Sequence, residues 1–244
     1  MSGELVVKVS WGPRPESLLE LAARWTAALG RLTELSAGVP VDWRQDVDGE
    51  GVGEPVPPEA EDFAAVVEAG GPEEDAEIIG WSAAVVGRWP NGAYAYLRAK
   101  GGGSDVRTPF TAVLQLFPAP GAGAAVGAGS AAPFSDRLPQ ALVALAESWE
   151  PDTGLTYDRE LFRTVKAAFG LHNSQPRCGW ATYLSANRAA LVPGELPGPR
   201  HRTADGGLVL GTGHSTEAVM AAHRALADAG ALEPLPVSAP RPTW

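Results

Sequence analysis

The stretch WSAAVVGRWPNGAYAYLRAK, residues 81–100, decides the fold. Two runs rich in β-branched, aromatic and small apolar residues flank Pro90-Asn91-Gly92. Asn91-Gly92 between two such runs predicts a β-hairpin, because both residues accept positive φ angles. We extend the first run back through EIIG, residues 77–80, and a third run, FTAVLQLF, follows at residues 110–117. The sequence therefore predicts an antiparallel meander of three strands.

Further elements flank this meander on both sides. An opening strand is predicted at residues 5–11, and two later strands at 179–186 and 206–213. Apolar residues recur at helical spacing in five segments, at residues 15–35, 59–70, 135–149, 156–170 and 215–230. Ser135 and Ser215 are the predicted N-caps of the third and fifth helices, and Gly230 is the predicted end of the fifth.

These elements predict an α+β fold, a mostly antiparallel sheet packed with several helices. We expect one domain over residues 1–235. The Gly/Ala-rich segment 118–133 is expected to be a flexible loop within it, because it has almost no side chains to bury. Residues 236–244 form a proline-rich tail.

The composition is that of an ordinary globular protein. Hydrophobic residues make up 45% of the chain, enough to build a full core. We find no secretory signal and no apolar run long enough to span a bilayer, so we expect no membrane partner. The single cysteine excludes an internal disulfide and fits a reducing compartment, and we predict a cytoplasmic protein.

The charge of the chain is concentrated in one segment. The net charge is −10, which disfavours nucleic acid as a partner. No Lys or Arg occurs between Arg44 and Arg88. The candidate partner-binding residues there are Asp46, Asp48, Glu50, Glu61, Asp62, Glu73, Glu74, Asp75 and Glu77. Such a run is either a solvated surface or a surface that steers a basic protein partner into place.

Catalytic patterns are weak throughout the chain. Cys178 and His172 form one candidate nucleophile and base, which is the basis of an alternative function as a small-molecule hydrolase or transferase. The remaining histidines lack the spacing of a metal site, and the glycines at 121, 123 and 127 lack the spacing of a dinucleotide site. We therefore expect no cofactor and no metal, and a protein that is not an enzyme.

The order of several short motifs resembles the immunity-52 family, immunity proteins of bacterial polymorphic toxin systems. The resemblance runs over most of the chain. It rests on Trp11 with Gly12 and Arg14, on Trp25 and Trp43, on Trp149-Glu150-Pro151, on residues 179–184 with Gly179, Trp180 and Tyr183, and on Gly206-Gly207-Leu208-Val209.

This resemblance implies an α+β domain that binds and neutralises a cognate toxin, typically a nuclease, without catalysis. The acidic segment fits that expectation, because a nuclease binds nucleic acid through basic residues. We expect Trp180 and Tyr183 to lie on opposite faces of one structural strand, so that only one of them faces the main core. A regulatory or scaffold module unrelated to toxins is a third possibility.

Overall fold

The predicted hairpin is present and lies inside a nine-stranded antiparallel sheet. The computed structural model describes residues 4–46, 53–72, 74–107, 109–119, 132–213 and 215–235. Within these residues the chain forms one domain of nine strands and seven helices, which confirms the predicted α+β class. Residues 120–131, most of the predicted Gly/Ala-rich loop, and the predicted tail 236–244 lie outside the described residues.

The turn of the hairpin differs from the prediction in one respect. Arg88 pairs with Tyr94, and Trp89 donates a backbone hydrogen bond to the carbonyl of Ala93 at 3.0 Å. Gly92 has a φ of +82°, whereas Asn91 stays at negative φ and accepts a hydrogen bond from the Ala93 backbone N–H at 3.0 Å. Only the glycine therefore supplies the left-handed residue of this turn.

The strands of the sheet are antiparallel to each neighbour. They are β1 Leu5–Trp11, β2 Asp42–Gln45, β3 Trp81–Arg88, β4 Tyr94–Gly101, β5 Phe110–Phe117, β6 Thr153–Asp158, β7 Ala181–Leu184, β8 Arg200–Arg202 and β9 Leu208–Gly211. Their order across the sheet is β2-β3-β4-β5-β1-β6-β7-β9-β8. The opening strand β1 is central and joins the meander β3-β4-β5 to the later strands.

Three of these strands were not predicted, and β6 is the most consequential. The sequence TYD at residues 156–158 was assigned to the start of a helix, but it pairs with β1, with Tyr157 opposite Val6. Gly154, the second residue of β6, weakens its strand pattern, and the partner strand β1 lies about 145 residues earlier. Pairing between strands so distant in sequence leaves no local signal.

The described part of the chain also forms seven helices. They are α1 Leu18–Leu35, α2 Ala60–Ala69, α3 Ala76–Ile79, α4 Leu138–Trp149, α5 Arg159–Phe169, α6 Ala186–Ala189 and α7 Thr216–Asp228. The prediction that residues 77–80 begin a strand is wrong, because Glu77–Ile79 belong to the short helix α3.

The helix caps confirm one prediction and correct another. Ser215 accepts a hydrogen bond from the Ala218 backbone N–H at 3.2 Å and caps α7 as predicted. Ser135 does not cap α4, which starts three residues later with Arg137 at the cap position and a proline in its first turn. Ser17 caps α1 in a reciprocal arrangement with Glu20, which satisfies two helix N–H groups.

Two hydrophobic clusters lie on opposite faces of the sheet. The main core packs α1, α2 and α4 against one face, with Trp25, Phe63 and Trp149 among its members. The second cluster packs α5 and α7 against the other face of β6, β7 and β9. On the other face of β3, β4 and β5, side chains such as Tyr96, Arg98 and Gln115 are half-buried or exposed. We call that part of the sheet the open sheet face.

Candidate functional site

The acidic candidates lie mainly on and around α2 and α3. Phe63 and Val67 of α2 are buried against α1, which turns Glu61 and Asp62 outward into solvent. Glu74, Asp75 and Glu77, around the start of α3, are exposed as well. The structure thus places both groups on the surface. Three further candidates, Asp48, Glu50 and Glu73, lie outside the described residues.

Asp46 occupies a different environment from the other candidates. It is half-buried at the end of β2, and its backbone N–H donates to the carbonyl of Ala84 at 2.9 Å. Its carboxylate interacts with the Tyr96 hydroxyl on the open sheet face. Burial raises the pKa of Tyr96, and the Asp46 charge and hydrogen bond add to that rise. Asp46 is therefore engaged inside the protein, unlike the acids of α2.

The exposed acids have no basic partner within the described chain. We define the acidic edge as the exposed carboxylates of residues 54–77, namely Glu54, Glu59, Glu61, Asp62, Glu68, Glu74, Asp75 and Glu77. None of them forms an ion pair within 4.0 Å of a described basic side chain. Residues 45–87 carry twelve acids and no Lys or Arg, so the rest of the chain carries a net charge of +2. The negative charge of the protein is therefore concentrated in this one segment.

Two large apolar side chains are exposed beside the acids of α3. Ile78 is 49% exposed and Val106 is 44% exposed. Two backbone hydrogen bonds hold their segments together. The Asp105 N–H donates to the Ile78 carbonyl at 2.9 Å, and the Ser104 N–H donates to the Glu77 carbonyl at 3.0 Å. Sequence reasoning missed this apolar patch because residues 77–80 read as the start of a buried strand. An exposed apolar patch with a charged rim is typical of protein interaction surfaces.

A cleft adjoins the acidic edge where the C-terminal end of α2 meets strand β3. It has a volume of about 240 Å³ and is lined by Gln45, Asp46, Val66, Ala69, Gly70, Ser82, Ala83, Ala84 and Arg98. Gly70 is needed there, because a Cβ at this position would overlap the Ser82 carbonyl oxygen. The cleft extends the candidate surface around the edge of the sheet.

Three tryptophans of the family motif, distant in sequence, meet in the core. Trp11 stacks on Trp149 with ring centroids 5.3 Å apart, and Trp25 packs edge-on against Trp149 at 5.8 Å. All three indoles are at most 2% exposed. These tryptophans hold β1, α1 and α4 together and take no part in the surface.

Arg14 belongs to an ionic network that closes the C-terminal end of α4. Its Nη1 donates to the Trp149 carbonyl at 3.0 Å, and Arg24 donates to the Ser148 carbonyl at the same distance. Glu16 bridges both guanidinium groups, with N–O distances of 3.0 and 2.5 Å. The last carbonyls of a helix lack intrahelical partners, and cations stabilise that end. Arg14 is therefore structural.

The remaining motif residues are also structural. Trp43 packs over Gly87 on strand β3 and donates from its indole nitrogen to Thr33 at 3.0 Å. Tyr183 is fully buried in the main core, whereas Trp180 is half-buried against the second cluster, as expected from their spacing. Gly206, with a φ of +84°, forms the turn between β8 and β9, close to Tyr183.

Asp205 links this turn to the Tyr183 side chain. Its carboxylate accepts hydrogen bonds from the Tyr183 hydroxyl at 3.0 Å, from Thr203 at 2.5 Å and from the Gly207 backbone at 3.1 Å. Partial burial acts to raise the pKa of Asp205, but these hydrogen bonds outweigh it and the pKa lies below its usual value. The carboxylate stays charged and fixes the turn.

Gly179 should tolerate no side chain. A Cβ there would overlap the carbonyl oxygen of Thr156, which accepts the Trp180 backbone N–H at 2.8 Å. We expect Gly179→Ala to lower the free energy of unfolding by about 1–3 kcal/mol, as overpacking does. Gly194→Ala is the matched control, because Gly194 is exposed with no neighbour within 4 Å of its Cβ position. Urea unfolding of both variants measures the difference, and equal stabilities would contradict this role.

The candidate catalytic pair Cys178 and His172 is not arranged for catalysis. Burial raises the pKa of the Cys178 thiol to about 12, so almost no thiolate forms at neutral pH. His172 is exposed, and its carbonyl accepts a hydrogen bond from Arg177. Cys178 contacts a different histidine, His223, whose Nδ1 accepts the Cys178 backbone N–H at 3.4 Å. Burial lowers the pKa of His223 to about 4, with Arg177 adding to the effect.

The structure adds two observations on metals and membranes. Within the described ranges, no three His, Cys, Asp or Glu side chains converge as metal ligands would. Of the helices that the structure describes, none combines the length and apolar character needed to span a bilayer.

The fold has a counterpart among solved structures. It is similar to that of the Pseudomonas aeruginosa T6SS protein PA0821, with a TM-score of 0.50 and 13% sequence identity over 94% of this chain and 77% of that chain. No protein-family model matches the chain, and no curated protein sequence does either. The resemblance to the immunity-52 family therefore stays a prediction from the motifs, and the T6SS protein shows a shared fold.

Proposed function

We propose that this protein binds a basic toxin protein and neutralises it by forming a stoichiometric complex. One observation carries the proposal: the acidic edge presents eight exposed carboxylates without a basic partner among the described residues. Keeping like charges together on one surface costs folding free energy, which a basic partner offsets on binding.

The acidic edge and the apolar patch have different roles in this complex. The carboxylates attract the partner over several ångströms and raise the association rate, since charge complementarity acts mainly on encounter. Ile78 and Val106 then lose their solvent contact against the partner, which slows dissociation. The adjoining cleft beside Gly70 receives part of the same partner.

Two independent features support a toxin as the partner. The motif order resembles a family of toxin-neutralising proteins, and the fold neighbour PA0821 is a T6SS protein. We further propose that the toxin is a nuclease. An enzyme that binds nucleic acid carries a basic surface around its active site, and that surface is complementary to the acidic edge.

Co-expression with the product of the adjacent gene tests the proposal. We expect the neighbouring protein to kill the host when it is expressed alone, and both proteins to co-purify in a one-to-one complex when expressed together. Nuclease activity of the partner, measured on a DNA or RNA substrate, should fall in proportion to the added protein. Toxicity without rescue, or no complex, would overturn the proposal.

Cys178→Ala separates this function from the hydrolase or transferase alternative. We expect the variant to protect against the toxin as well as the parent protein, because Cys178 is buried in the second cluster, away from the acidic edge. The substitution leaves a small cavity, which should lower the free energy of unfolding by about 1 kcal/mol. Host survival under toxin expression measures protection, and loss of protection by a folded variant would favour the alternative.

A further inference from the structure

Three hydrogen-bond donors from separate parts of the chain meet beside the second cluster. Lys8 lies on β1 and Tyr157 on β6, on the face of the sheet that α5 borders. Arg177 comes from the connection before β7, and its guanidinium stacks on the Phe162 ring of α5 at 4.3 Å. Tyr157 packs on the same Phe162 ring at 4.9 Å. It pairs with Val6, the residue two before Lys8 on the same face of β1, so the three side chains lie in one region of this face.

Arg177 is a buried cation without a carboxylate partner in the described chain. It is 3% exposed, and its Nη1 has no hydrogen-bond partner there. The other nitrogens donate to the carbonyls of His172 and Gln175. A buried charge is normally paired, because removing it from water is costly. Neutral carbonyl oxygens do not supply the missing negative charge.

Lys8 adds a second positive charge to the same place. It forms no ion pair within 4.0 Å of a described acid. Burial and the nearby Arg177 lower the pKa of Lys8. The acid that acts on Tyr157 is Glu4, whose carboxylate is already hydrogen-bonded to Gln115 and Arg159. Among the described residues, the cluster thus offers hydrogen-bond donors and positive charge without an ion-paired carboxylate.

We propose that Lys8, Tyr157 and Arg177 form a binding site for a small oxyanion, a phosphate or a carboxylate group. Each of three groups donates a hydrogen bond to an oxygen of the anion. They are Nη1 of Arg177, the Lys8 ammonium and the Tyr157 hydroxyl. Charge-assisted hydrogen bonds of this kind are short and strong. The site lies on β1 and β6, and strands β4 and β5 separate β1 from β3 beside the cleft, so it is distinct from the proposed toxin contact.

Titration of the full chain with sodium phosphate tests the site, with sodium acetate as a second arm and sodium chloride at matched ionic strength as the reference. We expect a saturable rise in melting temperature and a shift of the Arg177 Nε–H resonance. Lys8→Met keeps the length of the side chain and removes its charge, and it should weaken the apparent affinity by about tenfold or more. Lys100→Met, on β4 two strands away, is the matched control and should leave the affinity unchanged.

Tyr157→Phe provides a milder second variant, because it removes one hydroxyl without altering the ring that packs on Phe162 at 4.9 Å.

Saturation by phosphate alone assigns a phosphate site, and saturation by acetate assigns a carboxylate site. The proposal is overturned if neither anion has a saturable effect beyond chloride, or if Lys8→Met binds as well as the parent protein. Because no toxin is needed, failure here leaves the proposed function untouched.

Discussion

Reversing the charge of Glu74, Asp75 and Glu77 to lysine slows the association of this protein with its toxin by roughly tenfold to a hundredfold at low ionic strength. The reason is that these exposed carboxylates lie next to the apolar patch and contribute to the field that guides the encounter. Stopped-flow or surface-plasmon measurements at several salt concentrations give the association rate. The salt dependence of that rate should become weaker in the variant.

The control for this experiment carries the same change in net charge elsewhere. Glu195, Glu217 and Asp228 are exposed on or near the α7 side of the molecule, away from α2. At about 0.1 M salt their reversal to lysine should alter the association rate far less, because charges farther from the partner than the Debye length of about 10 Å are largely screened. Equal slowing by both triple variants would show that only net charge matters, and no slowing by either would reduce the acidic edge to a solvated surface.

Replacing Trp149 by alanine is expected to lower the free energy of unfolding by about 3–5 kcal/mol. The indole is 1% exposed and contacts both Trp11 and Trp25, so its removal leaves a large cavity at the junction of β1, α1 and α4. A loss of this size is a large part of the total stability of an ordinary domain. Urea unfolding followed by circular dichroism measures it without relying on tryptophan fluorescence.

A double-mutant cycle with Trp11→Ala tests whether the two rings act as one unit. Because the stacked rings contact each other, the double variant should lose less stability than the two single variants combined. Trp43→Ala is the control, since Trp43 is only half-buried and should cost less than Trp149→Ala. A loss below about 1 kcal/mol for Trp149→Ala would contradict the central role of this cluster.

Local patterns predicted the meander and the longest helices. The hairpin of β3 and β4 depends on residues close together in sequence, so its turn and its alternation were visible. Strand β6 was missed because its stability comes from β1 and β7, far away in the chain. Residues 77–79 were misassigned because an apolar pair, Ile78-Ile79, reads the same in a strand and in a short helix.

The candidate site was predictable only in part. The acidic segment stood out because its charge is a property of composition, and the exposure of Glu61 and Asp62 follows from the apolar face of α2. The apolar patch required the contact between residues 77–78 and 104–105, which joins helix α3 to the segment before β5. The same limit applies to Lys8, Tyr157 and Arg177, which come together only through the pairing of β1 with β6.

The amino-acid sequence by itself determined the α+β class, the hairpin of β3 and β4 and the strong polarisation of charge. Each of these depends on neighbouring residues or on composition, which folding does not rearrange. Only the tertiary structure decided that the motif residues Trp11, Arg14 and Trp149 stabilise the core while Ile78 and Val106 remain exposed. Burial depends on contacts between segments that are distant in sequence. Those contacts form only when β1 has paired with β5 and β6.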